Sequence, residues 1–233
     1  MTETAKRQGE PARHFLYVAD PLCSWCYGFA PVIGALAAHF EGRLGLRIVM
    51  GGLRAGNTKP MRPEDKAYIK DAWTRVAAAS GQTFDHAFFD RDGFVYDTEP
   101  ACRAVVVVRE WGAPTPVTPL AFKARVSEAF YAHNRDVTDP TVIRAIAEEA
   151  GFDDAEFATR FASAEMKNAT FRDFLTAQEM GVRGFPLLAA GSVETNYALV
   201  TNGFRPLDGL VEALETWLAN GAPVTKFGAT PAA

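Results

Sequence analysis

The sequence is poor in cysteine, has no excess of positive charge and contains no long apolar run. Three cysteines among 233 residues, Cys23, Cys26 and Cys102, cannot build the disulfide frameworks that staple small secreted folds. With 24 Lys and Arg against 28 Asp and Glu, the formal net charge is -4. Such a chain feels no sequence-independent pull towards phosphate backbones or anionic lipid, so neither nucleic acid nor membrane is an expected partner. The longest purely apolar stretch, Ala104 to Val108, is far below the roughly 20 residues needed to span a bilayer. The segment from Met1 to Arg13 is polar and charged, and the apolar run after it, His14 to Ala19, is too short for the core of a secretory signal. The expected compartment is the cytoplasm. The four histidines, His14, His39, His86 and His133, show no paired metal-ligand spacing. No glycine-rich phosphate cradle, Ser-His-Asp arrangement or pair of catalytic carboxylates stands out, and neither metal nor cofactor is expected.

What is there is an alternation of strand and helix signals. His14 to Ala19 is a β-prone run ended by Asp20-Pro21, and it delivers Cys23-Ser24-Trp25-Cys26 directly. From about Cys23 to Phe40, the residues Phe29, Ile33, Leu36 and Phe40 recur at three- and four-residue steps. That spacing predicts one amphipathic helix with both cysteines in its first turn, stopped at Gly42. Leu44 to Met50 is a second β-prone run closed by Gly51-Gly52, which completes a strand-helix-strand unit. From Arg62 to Ala164 the pattern is helical, with openings at Thr98-Glu99-Pro100, Thr118-Pro119 and Asp139-Pro140 and a stop at Gly151. A further helix, about Glu165 to Met180, leads to two β-prone runs, Phe185 to Ala190 and Tyr197 to Thr201, with a turn containing Gly191 between them. A last helix is expected from about Pro206 to Ala219, and the tail from Ala222 is expected to fray. One sheet domain interrupted by one helical domain is the simplest organisation, and the two strand-forming ends can share one sheet.

The dithiol carries the chemistry. Cysteines at i and i+3 in a first helical turn share a face, near enough for their sulfurs to bond without large backbone movement. Attack on a disulfide needs the thiolate, and a free thiol of pKa about 8.5 is only about 3% ionised at neutral pH. Helix N-terminal N–H groups favour negative charge, so Cys23 is the expected nucleophile and Cys26, one turn deeper, the resolving thiol. The competing readings are a chance spacing and a zinc site, which lacks further ligands in a suitable pattern.

Asp20-Pro21-Leu22-Cys23-Ser24-Trp25-Cys26-Tyr27-Gly28 and Gly181-Val182-Arg183-Gly184-Phe185-Pro186, in this order and separation, make the chain resemble the DsbA-like branch of the thioredoxin superfamily. In particular it is similar to cytoplasmic protein-disulfide isomerases of the FrnE type, and the resemblance covers nearly the whole chain. It implies an α/β, thioredoxin-like fold with a large α-helical insertion. The thioredoxin-like parts would lie at 14–60 and 165–220, and the insertion at 61–164. It also implies that Pro186 is cis and beside the cysteines, with Phe185 offering main-chain groups to an extended substrate. Without it trans would be expected, because only about 5–6% of such bonds are cis. A proline there has no N–H and leaves a sheet edge unpaired near the thiolate, where a peptide can bind.

Two departures stand out. Ser24-Trp25 between the cysteines includes no histidine, so a strongly oxidising potential does not carry over from periplasmic relatives. Cys102, in Thr98-Glu99-Pro100-Ala101-Cys102-Arg103, stands where related proteins carry histidine. It is either a third redox thiol, a substrate-side contact or a small buried core residue. Trp25 is expected to be exposed and to stack on substrate. Asp20 is read as a turn-former before proline or as a group that caps the helix and tunes the thiol. Phe84, Phe88, Phe89, Phe94 and Tyr96 either line a groove between the two domains or belong to the core.

The expected activity is thiol–disulfide oxidation, reduction or isomerisation on protein or peptide disulfides, with glutathione a further candidate partner. The alternative is a glutathione-dependent isomerase or transferase acting on a small aromatic or polyketide-like compound. Relatives of that type typically keep a single serine or cysteine, so two thiols argue for exchange. A third reading, a non-catalytic binding domain, predicts that function survives loss of both thiols.

Overall fold

The structure is a computed structural model in which residues 13–112, 114–192 and 196–220 are described. The chain runs β1 (His14–Ala19), α1 (Ser24–Gly28), α2 (Ala30–His39), β2 (Gly45–Met50), α3 (Pro63–Ser80), α4 (Glu99–Arg109), α5 (Pro119–Tyr131), α6 (Pro140–Glu149), α7 (Asp154–Ala162), α8 (Ala164–Glu179), β3 (Leu187–Ser192), β4 (Asn196–Asn202) and α9 (Leu210–Asn220). Among the described residues the strands form one sheet in the order β2-β1-β3-β4. β1 and β2 are parallel, with His14 opposite Gly45 and Ala19 opposite Met50. β3 runs antiparallel to both β1 and β4. Strands from the two ends of the chain therefore share one sheet, and the helical stretch leaves after β2 and returns before β3.

Phe15 to Ala19 are all buried, because helices cover both faces of β1. Phe15, Tyr17 and Ala19 point into the larger core with α1, α2 and the helical stretch. Leu16 and Val18 point the other way, with Val49, Leu187 and Ala189, onto Ala177 of α8. The edge strand β2 is pinned along its buried second half: Asp173 of α8 accepts from Met50 N–H at 2.8 Å and from Arg109 at 2.6 Å, while Arg109 also donates to Ile48 O at 3.0 Å. Within the helical stretch α4 is the axis, buried all round from Ala101 to Val108. Its run of four valines is β-prone by propensity, and burial overrides that preference.

The single helix expected over Cys23 to Phe40 is two. α1 stops at Gly28 and α2 restarts at Ala30 with Phe29 as the junction. Pro31 is the physical cause, since it has no N–H for the carbonyl four residues back and its ring crowds that carbonyl. Tyr27 O, the group left over, accepts instead from Gln82 Nε2 at 3.1 Å. β3 begins at Leu187 rather than Phe185, past the proline that cannot donate to a ladder. α9 begins at Leu210 rather than Pro206, after Gly209 at φ 73 has broken the path. The tail from Ala222 lies outside the described residues.

Candidate active site

β1 ends in a turn that Asp20 holds: its Oδ1 accepts from Leu22 N–H at 2.8 Å and its Oδ2 from Leu53 N–H at 2.7 Å. Asp20 O accepts from Cys23 N–H at 3.1 Å, which sets Cys23 at the N-cap of α1 with extended backbone (φ -92, ψ 116). Cys26 follows one turn inward. All three cysteines are free thiols, and Cys23 is 6% exposed whereas Cys26 is fully buried.

The active-site segment is buried, so its carbonyls need donors. The helical stretch supplies them. Ser127 Oγ donates to Pro21 O at 2.7 Å, the Tyr96 hydroxyl to Leu22 O at 2.7 Å and Lys123 Nζ to Cys26 O at 3.0 Å. Lys123 and Ser127 are one turn apart on α5, and the segment is clamped between that helix and β1.

From the other side comes the segment before β3. The Phe185–Pro186 peptide bond is cis, and the Cys23 thiol donates to Phe185 O at 3.7 Å. Gly51, at the end of β2, makes this approach possible: a Cβ there would lie 2.1 Å from the Phe185 ring. Trp25 is half-buried rather than exposed. Its ring centroid lies 5.7 Å from that of Phe204, which in turn meets Phe29 edge-on at 6.4 Å. Gly203 N–H donates to Pro186 O at 2.8 Å, so the loop carrying Phe204 is tied to the proline. Cys23, Trp25, Phe185 and Pro186 are thus brought together at one mouth.

Cys102 lies behind them, fully buried, its thiol donating to Asp20 Oδ2 at 3.4 Å. It joins the site through Asp20 and offers no surface to a substrate. The aromatic stretch is core: Phe84, Phe88 and Phe89 surround the fully buried Trp73, and Phe94 and Tyr96 pack on Phe130. Among the described residues no group of three or more His, Cys, Asp or Glu is placed to hold a metal ion, and no helix is long and apolar enough to cross a membrane.

The electrostatics split the pair. The hydrogen bonds from the Cys26 thiol and the Cys26 N–H, with a smaller contribution from Lys123, pull the Cys23 thiol below its ordinary pKa, against burial and the Asp20 charge. Burial drives the Cys26 thiol well above its own. Burial also pushes Lys123 down and Asp20 up. The Cys102 thiol is raised well above its usual value by burial and by Asp20. One acidic thiol just reaching the surface over one fully buried protonated thiol is the arrangement that sequential thiol–disulfide exchange requires. A long-helix dipole is not its source, since α1 has only five residues.

Lys123, Ser127, Tyr17 and Phe204 escaped the reading of the sequence. A signal existed for the first two: Lys123 and Ser127, at i and i+4, sit beside the apolar series Phe122, Val126 and Phe130, so two polar groups lie along a buried face.

The DSBA-like thioredoxin domain family matches residues 16–215. Among solved structures, a candidate protein disulfide isomerase from Nitrosomonas europaea is 36% identical, with TM-score 0.81, covering 90% of this chain and 99% of that one. The cytosolic disulfide reductase DsbM from Pseudomonas aeruginosa, solved also with GSH, is 27% identical with TM-score 0.72, covering 88% of this chain and 98% of its own. The ClpXP adapter protein SpxH of Bacillus subtilis is 27% identical over 180 residues, 77% of this chain. The chain spans 58% of the length of that relative. The chain belongs to the DSBA-like thioredoxin domain family.

Proposed function

We propose that this protein is a cytoplasmic thiol–disulfide oxidoreductase that acts on protein or peptide disulfides as a reductase or isomerase, with Cys23 as nucleophile and Cys26 as resolving thiol. The asymmetry of the pair carries this reading: the acidified, slightly exposed Cys23 faces the cis-proline segment, and Cys26 is sealed below it. The Cys23 thiolate attacks one sulfur of a substrate disulfide, forming a mixed disulfide and releasing the other sulfur as thiolate. Cys26, losing its proton, attacks Cys23, closes the Cys23–Cys26 disulfide and releases the second substrate thiol. Two electrons pass from the dithiol to the substrate. Two molecules of glutathione can restore the dithiol as they become one glutathione disulfide, and the likeness to DsbM supports glutathione as that partner. Phe185 O and the half-buried Trp25–Phe204 pair offer an extended peptide a backbone acceptor and an apolar shelf. Cys102 is assigned to the buried support of Asp20.

The test is a titration of thiol content against glutathione buffers, with trapping of a mixed disulfide in Cys26→Ser. A reversible two-electron transition that disappears in the variant, together with accumulation of the mixed disulfide, is expected. Absence of any transition refutes the proposal. The likeness to ClpXP adapters favours one other reading, a binding role independent of the thiols, which predicts that a variant lacking both Cys23 and Cys26 keeps its function.

A further inference from the structure

Where α2 passes α5, the two helices leave a seam. Ala30, Ile33, Gly34 and Ala37 of α2 face Leu120, Ala121 and Ala124 of α5 across a cavity of about 290 Å³. Small side chains keep it open: a Cβ added at Gly34 would meet nothing within 4 Å. Ala37, Thr118 and Leu120 also line a wider cavity of about 580 Å³ beside Leu46 and Ile48 of β2. Both lie near the size range of small-molecule sites, roughly 300–1,000 Å³.

The inner end of the seam is polar and one-sided. Tyr17 and Lys123 line it, 0% and 1% exposed. The Tyr17 hydroxyl meets no nitrogen or oxygen partner and has only the Cys26 thiol beside it. Lys123 uses one of its three N–H donors on Cys26 O. Lys123 thus keeps spare donors and Tyr17 only a weak sulfur neighbour, and buried donors so poorly matched are costly.

We propose that this seam binds a small monocarboxylic acid with an apolar or aromatic body. Its carboxylate accepts from the Tyr17 hydroxyl and Lys123 Nζ, and its body lies between Gly34 and Leu120. The chemistry of the donor set selects the head group: a carboxylate brings only acceptors and a charge that favours the protonated Lys123, whereas an amide brings one acceptor, no charge and N–H groups that must compete for Cys26 O. Entry requires the half-buried Leu120, at the junction of the two cavities, to turn aside. A consequence follows for the dithiol and rests on the proposed exchange function. Lys123 serves the Cys26 sulfur, so a bound carboxylate draws that cation away and slows the step in which Cys26 resolves the mixed disulfide.

The test is titration calorimetry of the reduced full-length protein with benzoate, with hexanoate and with benzamide as the uncharged counterpart of benzoate. Gly34→Leu fills the slot while Tyr17, Lys123 and both thiols are kept. Ala37→Leu is the second plug should the first fail to fold by circular dichroism. Saturable binding of the acids, at least tenfold weaker for benzamide and lost on plugging, is expected. Benzoate should also slow release of thionitrobenzoate from a Cys23 mixed disulfide in the wild type and not in the plugged variant. No heat from either acid, equal binding of benzamide or unchanged binding in the plugged variants overturns the site. Binding that meets these criteria in a protein that exchanges no disulfide supports the site and refutes only the exchange function.

Discussion

Replacing Lys123 with methionine keeps the length of the side chain and removes its charge from a position facing both sulfurs. At an effective dielectric near 20 a unit charge about 4 Å from another is worth about 4 kcal/mol, and less further away. Burial pushes Lys123 towards its neutral form and its charge is the smallest of the influences on Cys23, so only part of that acts, and the Cys23 pKa should rise. Stability is set by two opposing effects. A lysine whose folded pKa lies below its unfolded value near 10.4 binds fewer protons when folded, so its contribution improves as pH rises between the two and is a cost below the folded value. Methionine removes that cost but leaves the buried Cys26 O without this donor, which costs about 1–3 kcal/mol. The two oppose each other, so the expected Lys123→Met protein is close to the wild type in stability at neutral pH, yet slower in exchange. Iodoacetamide alkylation of Cys23 against pH, read by mass spectrometry beside urea unfolding, measures both. A folded variant with an unchanged or lowered Cys23 pKa would refute the electrostatic role given to Lys123.

Asp20→Asn keeps one acceptor and turns the other into a donor, so Leu53 N–H is orphaned at a cost of about 1–3 kcal/mol. The Cys23 pKa should fall, because the Asp20 charge raises it; a rise, read by the same alkylation, contradicts the assignment. Gly51→Ala would place a methyl 2.1 Å from the Phe185 ring, so the segment must shift. About tenfold slower exchange and about 1–3 kcal/mol of lost stability are expected by stopped flow and urea titration, and wild-type values would show that the Phe185 contact is dispensable. In the reduced protein the lowered Cys23 pKa contributes stability that is present above the unfolded value near 8.5 and lost as pH falls through the folded one. The gap between wild type and Cys23→Ser in urea should accordingly widen from pH 6 to pH 8.5, and a gap independent of pH would mean that the thiol is not acidified.

Much of this was legible in the sequence because the informative features are local. A β-prone run, Asp20-Pro21, a dithiol at three-residue spacing and the segment ending at Phe185-Pro186 single out the proposed nucleophile without knowledge of anything distant. The break at Phe29 was legible too, since Pro31 stands eight residues past Cys23, where the expected helix starts, but the apolar series from Phe29 to Phe40 runs through it and hid the stop. Trp25 was misjudged because exposure depends on a partner, Phe204, that is 179 positions away. Lys123 was out of reach for the same reason: its target is Cys26 O, 97 residues earlier. Periodicity tells that α5 has a buried face, not which carbonyl it meets.

The helical stretch is therefore more than a cover over the cysteines. Pro21, Leu22 and Cys26 each direct a carbonyl at a donor from it, respectively Ser127, Tyr96 and Lys123, while β1 and the proline segment hold the remaining contacts. A thiol buried next to carbonyls fixed in this way takes its largest stabilisation from the Cys26 thiol and N–H inside α1, and α5 adds a cation to it through Lys123. The dipeptide between the cysteines, Ser24-Trp25, then need not supply that cation, because it arrives through the fold from the opposite side. It follows that removing the Lys123 charge should shift the redox poise even with Ser24-Trp25 unchanged.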